Sequence, residues 1–511
     1  MADGVEAVCM KSRRELLATT AVSASLGVAG CETISSSGDG DADDQAAEIR
    51  GDAERPNILF VFSDDHALRG LSCYGGNMLE TPNLDRLAGE GVRFDNCFVT
   101  NSLCAPSRAS VMTGKYSHEN GVRSNVFWGR QPPFDGSQMT APKRLRESGY
   151  STIHIGKWHL GGQPRDFDYW KRLPAQGRYK DPTFLEKPAE NKRRPKRIQE
   201  DGYVTDILTS ETIDAIEEYR GDSPFFLQCW HKAPHRRWVP DERHEDLFEG
   251  ETLPTPPTFD DDYETRSSAA KRARMRVAGM PDWKPEQPKG LSDEERKQWN
   301  YQQYMKNYLR TVRSLDENMG RLLDYLDEAG LAENTLVVYA SDNGFFLGEH
   351  GYYDKRFMYE ESLRIPLLMR YPPLTESGTT EDRWARNIDF APTFMDLAGV
   401  DVPDAVQGRS LRPLLTGAET PDWEQPLYYH YYEYPLPHRV HRHYGIRTDR
   451  YKLIYYYRIN EWELFDLQRD PNELQNVVDD SQYADVFSRL KEELRDQRAR
   501  YGDDTGKPVP E

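Results

Sequence analysis

Cysteine, positive charge and long apolar runs are all scarce in this sequence, and each shortage excludes a class of protein. Six cysteines in 511 residues are too few for a disulfide-stapled scaffold, and no spacing decides whether Cys73 pairs with Cys97. The 66 lysines and arginines are outnumbered by 85 aspartates and glutamates, which gives a net charge of -19. This balance argues against a dedicated nucleic-acid binder, because phosphate binding needs excess cationic side chains.

The first 54 residues indicate export rather than a folded domain. Arg13 and Arg14 precede a short, weakly apolar stretch that ends in small residues at Cys31, and this stretch is too short to cross a bilayer. We therefore predict a twin-arginine signal over 1–31 and an exported protein, periplasmic or at the cell surface. The VAGC sequence that ends at Cys31 resembles a lipoprotein processing box and predicts a lipid anchor there, with a soluble secreted protein as the alternative. Residues 32–54 are acidic and rich in Gly and Ser, which predicts a disordered linker.

Four apolar runs of strand length each end in polar, charge-bearing side chains. Continuous apolar runs are typical of strands buried on both faces, as in a parallel sheet. In an open α/β sheet, ligands bind outside the carboxyl ends of the strands, so we expect these four ends to converge on one site. The residues that follow the four runs are Asp64 and Asp65, Lys157 and His159, His231 and His235, and Asp342 and Asn343.

Helical patterns lie between these runs and complete an α/β architecture. Apolar residues from Tyr308 to Leu326 recur every three or four positions, as on the core-facing side of a helix. We predict a doubly wound α/β domain over 55–423. Short alternating strands rich in Tyr and Ile, then a helix, predict a smaller α+β subdomain with an antiparallel sheet over 424–505. The charged segments 164–200 and 240–300 are expected to be surface insertions around a substrate cleft.

The segment LCAPSRASVMTGK at 103–115 carries the most specific signal. Pro106 suits the first turn of a helix with Ser102 or Cys104 as its N-cap, so Cys104 lies at a helix N-terminus that favours an anion. Arg108, four residues later, shares its helix face. The residues alone leave two alternatives open, a reactive thiolate and a small buried apolar side chain.

The five residues from Cys104 to Arg108 resemble the C-x-P-S-R signature of type I, formylglycine-dependent sulfatases of the alkaline phosphatase-like superfamily. The rest of that family's pattern follows in order, as NILFVFSDD, GKWHLG at 156–161, APH at 233–235, SDNG at 341–344 and the segment around Lys355. The resemblance covers about 55–415. It implies a large, mixed but mostly parallel sheet sandwiched by helices. It also implies that a formylglycine-generating enzyme oxidises Cys104 to formylglycine, whose hydrate is the nucleophile.

Residue chemistry and the resemblance together suggest a calcium site. Asp64, Asp65, Asp342 and Asn343 offer hard oxygen ligands suited to Ca²⁺, and Mg²⁺ stays an alternative. Singly, each pair could equally be a loop cap or a turn. By resemblance, the formylglycine at Cys104 is a further ligand of the metal.

The resemblance also implies roles for the remaining polar residues. Arg108 would stabilise the hydrate, Lys157 and Lys355 would bind the sulfate oxygens, and His159 would be the base that expels sulfate. His235 is the predicted general acid, with His231 in reserve, while His118 and His350 have a structural or rim role. Trp128, Trp158, Trp230 and Trp238 could stack on sugar rings. The implied catalytic set is Cys104, Arg108, Lys157, His159, His235 and Lys355.

These observations predict an enzyme that hydrolyses sulfate esters on sulfated carbohydrates or polysaccharides. The enzymatic alternatives have the same fold but hydrolyse a different bond. They are an N-sulfoglucosamine sulfohydrolase and a phosphodiester or phosphonate hydrolase. A different class is a non-catalytic surface glycan-binding protein in which Cys104 stays unconverted, although that leaves the full ligand set unexplained.

Overall fold

The computed structural model describes residues 55–510 except 126–130, 222, 281–285, 422, 424 and 425. The predicted export signal at 1–31 with its anchor at Cys31, the linker at 32–54, and Trp128 lie outside the described residues. No helix in the described part of the chain is long and apolar enough to span a membrane.

The strands are, in chain order, β1 (Asn57–Ser63), β2 (Val92–Phe94), β3 (Cys97–Phe98), β4 (Ser151–Lys157), β5 (Tyr169–Leu173), β6 (Thr183–Glu186), β7 (Lys196–Gln199), β8 (Phe225–Trp230), β9 (Thr335–Ser341), β10 (Phe346–Leu347), β11 (Tyr353–Asp354), β12 (Arg364–Ile365), β13 (Leu367–Arg370), β14 (Thr379–Glu381), β15 (Ala385–Arg386), β16 (Leu427–Tyr431), β17 (His443–Arg447), β18 (Tyr451–Tyr456) and β19 (Glu461–Asp466). The α-helices are α1 (Pro82–Glu90), α2 (Cys104–Thr113), α3 (Ser117–Asn120), α4 (Ala141–Glu147), α5 (Val204–Tyr219), α6 (Ser268–Arg272), α7 (Asp293–Glu328), α8 (Glu360–Leu363), α9 (Phe390–Leu397), α10 (Arg412–Leu415) and α11 (Ala484–Arg500).

A ten-stranded mixed sheet has the order β14-β2-β13-β9-β1-β8-β4-β5-β6-β7. Its centre, from β9 to β5, is parallel, and β13, β6 and β7 add antiparallel pairings. The four predicted runs are therefore β1, β4, β8 and β9, adjacent strands whose carboxyl ends lie at one edge. This confirms the predicted α/β fold.

Strand β1 shows why the central strands read as continuous apolar runs. Phe60 and Phe62 pack in a core cluster with residues of α4 and α9. Leu59 and Val61 pack in a second cluster with residues of α5 and α7. Because helices cover both faces of the sheet, both sets of alternating side chains must be apolar.

Helix α7 begins well before the predicted periodic stretch. Ser292 caps it and forms a capping box with Glu295, so the helix starts at Asp293 and reaches Tyr308 only after four turns. The hydrophilic first turns of α7 lack the apolar stripe on which the prediction depended.

The two segments predicted as surface insertions are more structured than expected. Strands β5 to β7 lie within 164–200 and extend the main sheet, with Trp170 and Phe184 buried. In 240–300, Phe259, Tyr263 and Met275 are buried in a core cluster. Both segments keep many exposed charged side chains, and a few buried aromatic side chains anchor each of them to the fold.

The C-terminal region contains the predicted antiparallel sheet and helix. Strands β16 to β19 pair in sequence order, and α11 follows. Tyr116 near the N-terminus of α3 packs against Tyr428 of β16 and against Tyr501, with ring centroids 5.6 and 4.4 Å apart. This packing joins the C-terminal sheet to the chain segment that follows Cys104.

Candidate active site

Helix α2 places Cys104 at its first residue, with Leu103 as the N-cap. The predicted capping by Ser102 or Cys104 is wrong, because the Ser102 hydroxyl donates instead to the carbonyl of Ser362. Cys104 is buried, and burial raises the pKa of its thiol. The encoded side chain is therefore a neutral thiol, which disfavours the thiolate alternative.

Carboxylates from two strand ends converge on Cys104. The ligand atoms of Asp64, Asp65, Asp342 and Cys104 all lie within 4.8 Å of one another, and the four residues are buried. Asp64 and Asp65 follow β1, while Asp342 follows the neighbouring parallel strand β9. The Cys104 Sγ lies 3.5 Å from Asp64 Oδ1. The structure thus brings together residues almost three hundred positions apart in sequence.

The same residues fit a divalent cation. Asn343 lies beside this cluster and donates its amide nitrogen to Asp342 Oδ1 at 2.9 Å, while its buried Oδ1 has no hydrogen-bond partner. Burial and the charge of Asp64 raise the pKa of Asp342 to about 7. Clustered carboxylates with an unused amide oxygen form the hard-oxygen donor set that Ca²⁺ prefers.

Two buried lysines lie beside the carboxylates. The ammonium groups of Lys157 and Lys355 contact Asp64 and Asp65 respectively, and Lys355 Nζ lies 3.5 Å from Cys104 Sγ. Burial alone would raise the pKa of Asp64, but these neighbouring charges hold it well below its usual range. Both lysines are therefore buried beside the cysteine rather than solvated.

Arg108 is buried and connects Asp342 to the end of β4. Its guanidinium donates to Asp342 Oδ2 from Nε at 3.0 Å and to the carbonyl of Lys157 from Nη1 at 2.8 Å. It also lies 5.0 Å from the centroid of the Trp230 ring. Arg108 thus orients the Asp342 carboxylate and ties α2 to the end of β4.

Two of the histidines lie in the same region. His235 Nε2 is 3.7 Å from Asp65 Oδ2, and a ring nitrogen of His235 lies within 4.8 Å of Cys104 Sγ. His159 is buried, but it lies past the end of β4 and its backbone is left-handed, at φ 56°, so strand alternation does not place it on one face with Lys157. Burial, together with nearby lysine charges, lowers the pKa of both histidines well below the usual range.

The other three histidines singled out from the sequence have partners outside the cluster around Cys104. His231 follows β8 directly and its Nε2 lies 3.3 Å from Cys229 Sγ, so its reserve role as an acid stays a prediction. His118 Nε2 lies 2.7 Å from the Tyr501 carbonyl, and His350 Nδ1 lies 2.9 Å from Asp261 Oδ2.

Three of the four tryptophans suggested for sugar stacking lie in the described residues, and these three do not form a sugar-binding platform. Trp158, Trp230 and Trp238 are all buried, and the first two stack on each other with centroids 6.2 Å apart. The stacking role suggested from the sequence is therefore wrong for these three residues, because their rings complete the core beneath the site.

One buried lysine was not singled out from the sequence. Lys232, on the loop between β8 and His235, is buried and donates to the carbonyl of Arg236 at 3.4 Å. Its Nζ lies 4.8 Å from the centroid of the Tyr179 ring. Burial, reinforced by the charge of Lys157, lowers its pKa to about 7. In the sequence, the position of Lys232 between the two histidines of HKAPH is the signal that could have identified it as a site residue.

Comparison with known proteins agrees with this geometry. The family model for sulfatases matches residues 56–400, and the model for the C-terminal part of N-sulphoglucosamine sulphohydrolase matches 348–500. A relative from Bacteroides thetaiotaomicron, an N-acetylglucosamine-6-O-sulfatase, is 44% identical over 88% of each chain.

Solved structures show the same relationship. One solved protein, in complex with its substrate D-glucosamine-2-N,6-O-disulfate, is 43% identical in sequence to this chain and has a TM-score of 0.83. The match covers 90% of this chain and 100% of that protein. A phosphonate monoester hydrolase from Silicibacter pomeroyi is 23% identical, has a TM-score of 0.71 and covers 88% and 96% of the two chains, which shows a shared fold alone. From the extent of the family match and the identity to these relatives, we conclude that the chain belongs to the sulfatase family and is a sulfuric ester hydrolase.

Proposed function

We propose that this sulfatase removes the 6-O-sulfate from glucosamine or N-acetylglucosamine residues of sulfated glycosaminoglycans, with a formylglycine at position 104 and one bound Ca²⁺. The substrate assignment is supported by the relative from Bacteroides thetaiotaomicron and by the solved complex with a glucosamine disulfate. The observation that carries the chemistry is the convergence of three aspartates, two lysines and one histidine on Cys104.

The cofactor chemistry depends on residues already in place. Bound Ca²⁺, with Asp64, Asp65, Asp342 and Asn343 as protein ligands, would neutralise a sulfate oxygen and lower the pKa of the nucleophilic hydroxyl at position 104. Calcium is favoured over magnesium because several carboxylates and an amide can surround it without strict octahedral geometry.

Lys157 and Lys355 supply the charge that a sulfate ester needs. Their ammonium groups contact Asp64 and Asp65 on either side of the cysteine, so a sulfate at this point would meet both. Buried point charges stabilise the negative charge that develops on the sulfate oxygens more strongly than solvated ones do.

The two histidines divide the proton transfers. A neutral imidazole, which follows from the lowered pKa of His159, can act as the base. His235 must acquire a proton before it can give one to the leaving alcohol. An anionic sulfate ester bound beside His235 favours that protonated form, so substrate binding would raise its pKa.

The competing reaction is hydrolysis of an N-sulfate, which the match of residues 348–500 to N-sulphoglucosamine sulphohydrolase brings into consideration. D-Glucosamine-2-N,6-O-disulfate separates the two reactions because it carries both groups. The protein, coexpressed with a formylglycine-generating enzyme and supplied with Ca²⁺, is incubated with this compound, and the products are identified by mass spectrometry. We expect loss of the 6-O-sulfate with the N-sulfate retained. A free amine would instead identify an N-sulfohydrolase, and turnover of glucosamine 6-phosphate alone would identify a phosphoester hydrolase.

Two cysteine variants test the assigned nucleophile. Cys104→Ala should abolish sulfate release while the protein stays folded, whereas the control Cys73→Ala removes a half-buried thiol and should retain activity. Full activity in Cys104→Ala, or an unmodified Cys104 peptide in an active preparation, would reject the formylglycine mechanism.

Export and lipid anchoring are a separate proposal, supported by the twin arginine and by the VAGC sequence at Cys31. Membrane-fraction localisation that is lost in a Cys31→Ser variant would test the anchor.

A further inference from the structure

An extended segment carries arginines directly beside the residues that position Lys355. Residues 273–278 alternate between buried and exposed side chains, with Arg274 and Arg276 on the exposed side. The backbone pairs antiparallel with the segment before Lys355, through a bridge between Arg276 and Tyr352. Continuing that register places Arg274 opposite Asp354, the residue that precedes Lys355.

Contacts with the C-terminal loop agree with this placement. The backbone amide of Arg274 donates to the carbonyl of His438 at 2.6 Å, and His438 Nδ1 lies 2.9 Å from the carbonyl of Arg274. The other ring nitrogen of His438 lies 2.6 Å from Asp354 Oδ2. His438 therefore connects the backbone of Arg274 to Asp354, the residue that precedes Lys355.

The two arginines line a groove of about 520 Å³ together with Arg296 and the small residues Ala278 and Gly279. We call this the arginine groove. One carboxylate, Asp293, also lines it and pairs with Arg296 at 2.7 Å.

The guanidinium groups of the other two arginines stay available to a ligand. No ion pair of Arg274 occurs among the described residues. Arg276 donates to the carbonyl of Lys271 at 2.9 Å and lies 4.6 Å from the centroid of the Tyr263 ring, so its charge is uncompensated. A cluster of cations on a chain of net charge -19 indicates recognition of a negatively charged ligand.

An exposed aromatic side chain lies on the same loop as His438, which contacts the backbone of Arg274. Tyr434 is 40% exposed and Leu436 is 50% exposed, two of the few large apolar side chains that reach solvent in the described residues. The Tyr434 ring stacks on His441 at 4.6 Å, which fixes its orientation. An exposed ring of fixed orientation suits stacking on the face of a sugar.

We infer that the arginine groove and Tyr434 form a second subsite, which binds a sulfate or carboxylate on the saccharide residues next to the one that loses its ester. This inference rests on the proposed function, since it concerns the continuation of the same anionic glycan. The protein then binds a charged oligosaccharide more tightly than a single sulfated sugar, and the excess affinity falls with ionic strength.

Binding measured without turnover tests the subsite. In the Cys104→Ala background, calorimetry compares N-acetylglucosamine 6-sulfate with a tetrasaccharide that alternates 6-O-sulfated glucosamine with uronic acid. Adding Arg274→Gln and Arg276→Gln should reduce the ratio of tetrasaccharide to monosaccharide affinity about tenfold, as expected for two charge-assisted contacts. Arg274→Lys with Arg276→Lys should restore most of the ratio. Thermal unfolding of each variant verifies the fold.

Two surface arginines far along the chain provide the matched control. Arg412→Gln with Arg489→Gln removes the same charge and should leave the ratio unchanged. An unchanged ratio in the groove variant, or an equal loss in the control, would overturn the subsite. Turnover by the wild type is measured separately, so a protein that releases no 6-O-sulfate contradicts the proposed function while the binding ratio still decides the subsite.

Discussion

Replacing Lys232 by methionine should stabilise the protein most near neutral pH and progressively less as the pH rises. Lys232 is buried, with a carbonyl at 3.4 Å and an aromatic ring as its recorded neighbours. Burial, with the charge of Lys157, lowers its pKa from 10.5 to about 7. That difference corresponds to about 5 kcal/mol of unfavourable free energy for keeping the group charged when folded.

The sign of the pH dependence follows from proton binding. Between about pH 7 and 10.5 the unfolded chain keeps the lysine proton while the folded chain has released it. Stability from this group therefore rises with pH across that window and is lost as the pH falls through about 7. Each pH unit is worth about 1.4 kcal/mol.

Urea unfolding at pH 7.5 and pH 9.5 measures this effect. The stability advantage of Lys232→Met over the wild type should shrink by about 2.7 kcal/mol between the two values. Lys192→Met, at an exposed position, is the control and should show no comparable change. A constant difference between Lys232→Met and the wild type would mean that the native lysine stays charged, and would refute the reasoning.

Four further substitutions, one of them a control, have expected outcomes. Arg108→Met leaves the buried carboxylate of Asp342 without its partner and should lower the unfolding free energy, measured by urea titration, by about 3–5 kcal/mol. The control Arg412→Met breaks a half-exposed pair with Asp396 and should lower the unfolding free energy by less than about 1 kcal/mol. Asn343→Ala removes the unpaired amide oxygen and should weaken Ca²⁺ binding, seen as a smaller rise in Tm when Ca²⁺ is added after chelation; an equal rise would exclude Asn343 as a ligand. Gly156 has a φ of 111°, and Gly156→Ala places a Cβ 2.0 Å from a carbonyl oxygen of β8. We expect this variant to have a lower Tm and lower activity, and an unchanged Tm would contradict the geometry.

The parallel core could be predicted because each central strand is buried on both faces. Phe60 and Leu59 point to opposite sides of the sheet and are both covered by helices, so the signal was a continuous apolar run. Strands β5 to β7 gave no such signal, and β7 in particular is a largely exposed edge strand that begins with Lys196 and Arg197. Its place in the sheet depends on pairing with β6, which is a long-range property.

The candidate site was predictable in composition but not in geometry. Polar residues after β1, β4, β8 and β9 could be assigned to one edge, since parallel strands align their carboxyl ends. The direction of the His159 side chain could not be predicted, because its left-handed backbone does not continue the strand geometry of β4. Lys232 was passed over because an isolated lysine is usually solvated, and only tertiary packing buries it.

A single carboxylate links the residues that would handle the leaving group to those that would bind sulfate. Asp354 lies 2.7 Å from a guanidinium nitrogen of Arg236 and 2.6 Å from His438 Nε2. Arg236 is the neighbour of His235, and Asp354 is the neighbour of Lys355. Because His438 comes from the loop between β16 and β17, the C-terminal region contributes directly to the position of Lys355 through Asp354. A catalytic domain cut before this region would therefore lose more than stability, since the buried charge of Asp354 would lose one of its partners and Lys355 would lose its support.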